Sequence, residues 1–238
     1  MRAELARHVD LEFAAGVRNF FVEPVDPWGV RSADLRKIEQ MVYREVRLWP
    51  PEELNEFCDK LWQSRKLEEG VLVCHVYRRF ARRCKEAEWT LFESWIDRYV
   101  SNWANCDGIA SWLLAACIGN TPALRSKLPA WTQSSSRWKR RASAVALLQE
   151  AKAGRGTETI FHIADLLSDD LDDMVQKGVG WLLKEAYPKQ PSAVLQYLHA
   201  WPGARLVVRL GAEKMTAAHR AEFGFGQRKL SRSSEPKL

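Results

Sequence analysis

Apolar residues recur at three- and four-residue spacing along nearly the whole chain, and no segment sustains a period of two. A half-buried strand must alternate its faces, so this pattern argues against any sheet-based architecture. Leu5, Val9, Phe13, Val17 and Phe20 form one helical stripe, predicting a helix over residues 3–20. Leu35, Ile38, Val42 and Val46 form a second, with Ser32 as its N-cap, and Leu54, Phe57, Cys58, Leu61 and Trp62 a third. Proline and glycine punctuate the pattern at residues 23–30, at Pro50–Pro51, at Gly70, at Asn120–Pro122 and at Pro188–Pro191. Gly70 reads as a break before a helix over 71–84, and further helices are expected over 137–151, 158–167, 174–186 and 203–219.

These segments amount to about twelve helices, grouped in pairs of about forty residues, the length of a HEAT-type unit. The predicted fold is therefore all-α, a curved solenoid of about six HEAT-like two-helix repeats with a concave face suited to binding. Residues 1–219 form the predicted domain. Residues 220–238 read as a basic, disordered tail, rich in Ser, Lys and Arg and poor in apolar side chains.

With 238 residues, 46% apolar content and 11 tryptophans, the chain has ample material for a core. Its formal charge of +6 favours a polyanionic partner without requiring one. The five cysteines are odd in number and contain no CxxC pair, which fits reduced core thiols and leaves no close ligand pair for zinc. The N-terminal residues lack a signal-peptide core, and no apolar run approaches the ~18 residues of a membrane span. A cytoplasmic protein that spans no membrane is expected.

The stretch Ser101–Gly108 holds the most suggestive pair. Trp103 and Asp107 are four residues apart, so on a helix they share one face. Asp107 precedes the apolar run 109–118, where a carboxylate needs a partner. A helix N-cap is the plain alternative for Asp107, as core packing is for Trp103 and Trp181, and a solvated helix face for Arg141. At repeat-like spacing follow Arg141, in Trp138–Lys139–Arg140–Arg141–Ala142, and Trp181, in Lys177–Gly178–Val179–Gly180–Trp181. Stacked repeats could bring these four side chains to one surface.

Such a surface suits one reaction. Purines alkylated at N3 or N7 are cationic, so their glycosidic bond is already weakened and the base departs neutral without a strong general acid. What needs stabilising is the oxocarbenium-like sugar, which a carboxylate can do while orienting the attacking water. Indole faces can stack on the sugar or on a cationic base, and an arginine can hold a flanking phosphate.

Two basic clusters could track DNA, Arg78–Arg79–Arg82–Arg83 and Lys139–Arg140–Arg141; a solvated helix face is the default for each. The second is the expected DNA contact because it adjoins the candidate site. The scattered histidines form no HExxH motif, and phosphate-binding glycine loops and a nucleophile elbow are absent.

The chain resembles the bacterial DNA alkylation repair enzymes, alkylpurine DNA glycosylases built from HEAT-like repeats, from about Val17 to about residue 215. The resemblance rests on Trp28–Gly29–Val30–Arg31, Trp103–x–x–x–Asp107, Trp138–Ala142 and Gln176–Glu185. It implies a catalytic carboxylate at Asp107, aromatic contacts to the lesion sugar at Trp103 and Trp181, and a DNA contact at Arg141. It also implies base loss without base flipping, and duplex DNA with alkylated purines as the partner. No cofactor or metal, no obligate protein partner and a monomeric state are expected. The chain departs from the family pattern at Asn102 and Ala104. An early cleft tyrosine is also replaced, Phe20 and Phe21 being the nearest candidates. The rival readings are a non-catalytic relative that binds altered or branched DNA and a HEAT-like scaffold for a protein partner.

Overall fold

The computed structural model describes residues 1–225, and among these there is no strand, only an isolated bridge between Asp26 and Lys66. The chain is an all-helical solenoid of HEAT-like type. The helices are α1 (Arg2–Arg7), α2 (Leu11–Phe20), α3 (Ser32–Val46), α4 (Pro51–Gln63), α5 (Leu67–Arg78), α6 (Glu86–Tyr99), α7 (Trp103–Gly108) and α8 (Ala115–Asn120). They continue with α9 (Leu128–Trp131), α10 (Arg137–Val145), α11 (Leu148–Ala153), α12 (Thr157–Leu166), α13 (Asp173–Ala186), α14 (Pro191–His199), α15 (Arg205–Gly211) and α16 (Ala217–Glu222). The helices α3, α5, α7, α10, α13 and α15 form a row in which each packs on the next. One core runs from Leu5 to Met215 and makes this row continuous.

Several element boundaries differ from the sequence expectation, each for a local reason. The helix expected over 3–20 is two helices, because Asp10 leaves the helical conformation and its carboxylate accepts the Phe13 N–H at 2.9 Å, capping α2. The helix expected over 137–151 breaks after Val145, and the one expected over 203–219 divides into α15, a short 3₁₀ turn and α16. Ser32 begins α3, with Arg31 as its cap residue. Helix α16 crosses the expected boundary at residue 219, and the tail from residue 226 lies outside the described residues.

Gly70 is no break. It lies inside α5, where a Cβ would meet Trp62 Cζ3 at 2.5 Å and the Asn105 amide at 2.8 Å. Its lack of a side chain lets α5 approach α4 and α7 closely. Gly70→Ala is expected to cost about 1–3 kcal/mol through overpacking against these buried neighbours, measurable as a lower denaturation midpoint at unchanged slope.

The Trp28–Gly29–Val30 motif has a structural role. Glu68, at the start of α5, accepts the backbone N–H groups of Trp28, Gly29 and Val30 at 2.8, 2.7 and 3.0 Å. Glu69 accepts the Trp28 indole N–H at 3.1 Å. Two carboxylates thereby tie the first long turn to α5 and satisfy donors that burial would otherwise orphan. Behind that turn, Val17, Phe21 and Leu67 form a small second core on which Trp103 and Ala104 pack.

Candidate active site

Asn102 starts the central helix. Its side chain accepts the Asn105 N–H at 3.0 Å, so the N-cap is Asn102 and not Asp107. Trp103 follows, stacked on Phe21 with ring centroids 5.1 Å apart and 14° between planes. Phe20 meets it edge-on at 5.9 Å. Two phenylalanines thus brace the indole, in the region where the resemblance would place a tyrosine.

Asp107 lies one turn further on. Arg141 of α10 reaches it with two parallel bonds, Nε to Oδ1 and Nη2 to Oδ2, each 2.8 Å. The third guanidinium nitrogen, Nη1, donates to the Met174 carbonyl. Arg141 is 6% exposed, and all its nitrogens face inward partners. Burial pushes the Asp107 carboxyl above the ordinary aspartate range, and the Arg141 charge and hydrogen bonds pull it partly back. Burial likewise opposes the guanidinium's charge, but Asp107 outweighs it and raises the Arg141 pKa. The two bonds use two of about four carboxylate lone-pair sites.

Beyond Gly108 the helix widens. Ile109–Leu114 is a π segment, in which the Ala115 N–H bonds Ala110 O five residues back. The widened turn is held by side chains: Ser111 Oγ donates to Asp107 O at 2.7 Å, and Gln149 Nε2 donates to Ser111 O at 3.3 Å. Such insertions occur often at functional sites. Here the widening has a specific consequence. In a regular helix, five residues give about 140° of rotation, which would aim Trp112 away from Asp107. Hydrogen bonding five residues apart turns it back, and both side chains line one cavity.

That cavity has a volume of about 330 Å³ and lies between α5, the α7–π–α8 helix, α11 and α13. Trp103, Asp107 and Trp181 line it together with Trp112, His75 and Lys152. The Gly178–Val179–Gly180–Trp181 motif explains how Trp181 arrives there. A Cβ at Gly178 would meet Arg141 Cγ at 3.2 Å, and one at Gly180 would meet Leu210 Cβ at 2.7 Å. The two glycines let α13 close on α10 on one side and on α15 on the other. The Trp181 indole N–H donates to Glu185 at 3.2 Å, and Glu185 is in turn bonded by Lys214 at 2.6 Å. On the α5 side, His75 lies 3.7 Å from Glu39 and meets the Trp112 ring at 5.0 Å. Burial lowers the His75 pKa despite Glu39, leaving the imidazole uncharged near neutrality.

Of the residues expected from sequence, Trp103, Asp107 and Trp181 share the cavity, and Arg141 backs the carboxylate from within the core. Lys139 and Arg140 do not line it. Lys139 pairs with Glu93 at 2.8 Å and Asp97 at 3.0 Å, and Arg140 with Asp170 at 2.6 Å. The sequence alone does not mark Trp112, His75 or Lys152 as site residues. The only forward signal for Trp112 was an additional tryptophan just after Asp107, which helical periodicity places on the wrong face. A larger, more open groove of about 810 Å³ lies between residues 122–129 and 156–162 and contains none of these residues. Among the described residues, no group of three or more His, Cys, Asp or Glu side chains is arranged to hold a metal, and no helix is long and apolar enough to cross a membrane.

A helical solenoid that presents a carboxylate between indoles defines a class of repeat protein with a small aromatic–acidic cleft. The DNA alkylation repair enzyme family model matches residues 1–217, and the chain belongs to that family. Membership assigns it a role in the repair of alkylation damage to DNA. Among solved structures, a predicted DNA alkylation repair enzyme from Enterococcus faecalis shares its fold. The TM-score is 0.77 at 16% identity, covering 88% of this chain and 97% of that one. No curated protein sequence matches.

Proposed function

We propose that the chain is a monofunctional DNA glycosylase that removes N3- or N7-alkylated purines, such as 3-methyladenine and 7-methylguanine, from duplex DNA. The observation that carries this reading is a carboxylate, anchored from behind by two bonds from Arg141, lining the same small cavity as the indoles of Trp103 and Trp181.

In this reaction the glycosidic bond breaks with its electron pair going to the cationic base, which leaves neutral. Asp107 offers its outward lone pairs to the sugar cation as charge develops at C1′, and water adds there, losing a proton and leaving an abasic site. The indoles flank the sugar and the base, where cation–π attraction strengthens as the sugar acquires charge. The bonds from Arg141 fix the carboxylate plane before the substrate arrives, so no reorganisation is needed during bond cleavage. With the leaving base already activated, a general acid and deep extrusion of the base are unnecessary. A cavity of about 330 Å³ on the solenoid fits that economy.

The test is release of free base from duplex DNA methylated in vitro, followed by chromatography and by strand scission at the abasic sites. Wild-type protein is expected to release 3-methyladenine and 7-methylguanine. Retained DNA binding with no release would instead identify a non-catalytic DNA-binding member of the family. The pH profile gives a second check. The carboxylate must be ionised, and burial raises its pKa. Enzyme-dependent release, corrected for spontaneous depurination, should therefore fall on acidification with a midpoint above the ordinary Asp value of about 4. A rate that persists unchanged down to that value would remove Asp107 from the role.

A further inference from the structure

The cations nearest the resembling motifs are already neutralised, whereas Lys152, which lines the cavity, and Arg78, which sits over the ring of the cavity-lining Trp112, are not. Lys139, Arg140 and Arg141 each face carboxylates within the fold. Arg78 and Lys152 are exposed, and among the described residues neither has an ion-pair partner. Arg78 is the last residue of α5, and its guanidinium carbon lies 4.8 Å from the centre of the Trp112 ring. Lys152 is in the last turn of α11 and lines the cavity on its other side. The carboxylates in this region have other partners. Glu39 binds Arg79 at 2.6 Å, and Glu185, which feels the Lys152 charge, binds Lys214 at 2.6 Å. His75, beside Glu39, is also in the field of Arg78 and of Arg36 on α3.

Trp112 is the geometric link. Trp103 precedes Asp107 by four residues and Trp112 follows it by five, so the two indoles lie on opposite sides of the carboxylate along one helix. Their separation along the axis is roughly 13 Å at 1.5 Å per residue, more than one sugar needs. The space beyond Asp107 is thus bounded by an indole and bordered by two unpaired cations. Cations that follow the phosphates beside an aromatic surface are how proteins hold a nucleic-acid strand without reading its sequence.

We propose that Arg78 and Lys152 are the phosphate-binding groups of this cleft, with Trp112 as the surface on which the adjoining sugar–phosphate backbone lies. This rests on the proposed function for the identity of the ligand as DNA. It moves the electrostatic contact away from Lys139 and Arg140, whose charges are balanced within the protein.

The experiment is equilibrium binding of a fluorescein-labelled duplex carrying one N7-methylguanine on a 2′-fluorinated sugar, which resists loss of the base. Affinity is measured between about 50 and 200 mM salt. Each phosphate contact contributes about 0.9 to the slope of log K against log salt. The double variant Arg78→Gln, Lys152→Gln should therefore show a slope shallower by about 1.8 than wild type. Lys139→Gln and Arg140→Gln, tested singly, should leave it unchanged. Trp112→Ala should weaken binding by roughly tenfold through loss of stacking while keeping the slope.

An unchanged slope in the double variant, a drop found in the Lys139 or Arg140 variants instead, or salt-independent binding by wild type would each overturn the assignment. The parallel base-release assay separates the two readings. Base release with an unchanged slope in the double variant fails the phosphate subsite alone. A shallower slope with no release by wild type fails the glycosylase reading and leaves the subsite standing.

Discussion

Asp107→Asn is expected to lower single-turnover base release by about 10²- to 10³-fold, the usual consequence of removing one preorganised electrostatic group from a reacting centre. Asparagine keeps the shape and one acceptor but not the charge, and its amide N–H₂ would confront a guanidinium that now meets a carboxylate at two points. The variant should therefore also be less stable, because a buried arginine is left without its counter-ion. The two effects separate cleanly. Melting temperature reports the loss of pairing, and the rate, measured well below the variant's midpoint, reports the loss of charge at the sugar. Release at the wild-type rate by folded Asp107→Asn would show that the carboxylate serves only the fold.

Arg141→Met should produce the largest loss of stability. It leaves Asp107 in a site that disfavours its charge, with no partner. Breaking such a pair costs about 3–5 kcal/mol. At about 2–4 °C per kcal/mol for a chain of this size, the expected fall in Tm is roughly 6–20 °C. The pH dependence has a definite sign. Without the arginine the folded-state pKa of Asp107 rises further above its unfolded value, so the folded protein binds a proton that the unfolded chain has released. Stability then falls as pH rises through that window, and the deficit of the variant should shrink on acidification. Activity should move the other way, its acid limb displaced upward and the rate partly recovered at higher pH. A purely structural arginine would reduce activity without moving the limb, and that result would reject its positioning role.

The same pairing gives Arg141 a different place from the one its exposed, basic sequence context suggests. Within Lys139–Arg140–Arg141, each cation goes to a different carboxylate: Glu93 and Asp97, Asp170, and Asp107. A run of three basic residues on a helix reads as a positive surface only when the facing helices are neutral. Here α6, α7 and the loop before α13 are acidic at the matching heights. Among the described residues, the cations near the cleft without an ion-pair partner are instead Arg78, from the other basic cluster, and Lys152 on α11.

Much of the fold was legible in the chain itself. Apolar spacing of three and four, with no period of two, fixes a helical architecture because each helix must bury one stripe. The spacing of Trp103 and Asp107 on one face follows from the same geometry, and the motifs around Trp138 and Trp181 were sufficient for the family. The breaks at Asp10 and after Val145, and the continuity through Gly70, were not legible. A cap, a turn and a close helix contact each depend on what packs opposite, and Gly70 is explained by Trp62 and Asn105 rather than by its own neighbours.

The site divides along the same line. Sequence by itself determined which residue types were present and which face of their own helix they would occupy. Only the tertiary structure decided their partners: Arg141 on Asp107 across 34 residues, Phe21 beneath Trp103, and Trp112 turned into the cavity by the π segment. The physical reason is that helical periodicity sets an angle about one axis. The register between axes is set by the packing of every repeat against the next, and a carboxylate's neighbours are chosen by that register.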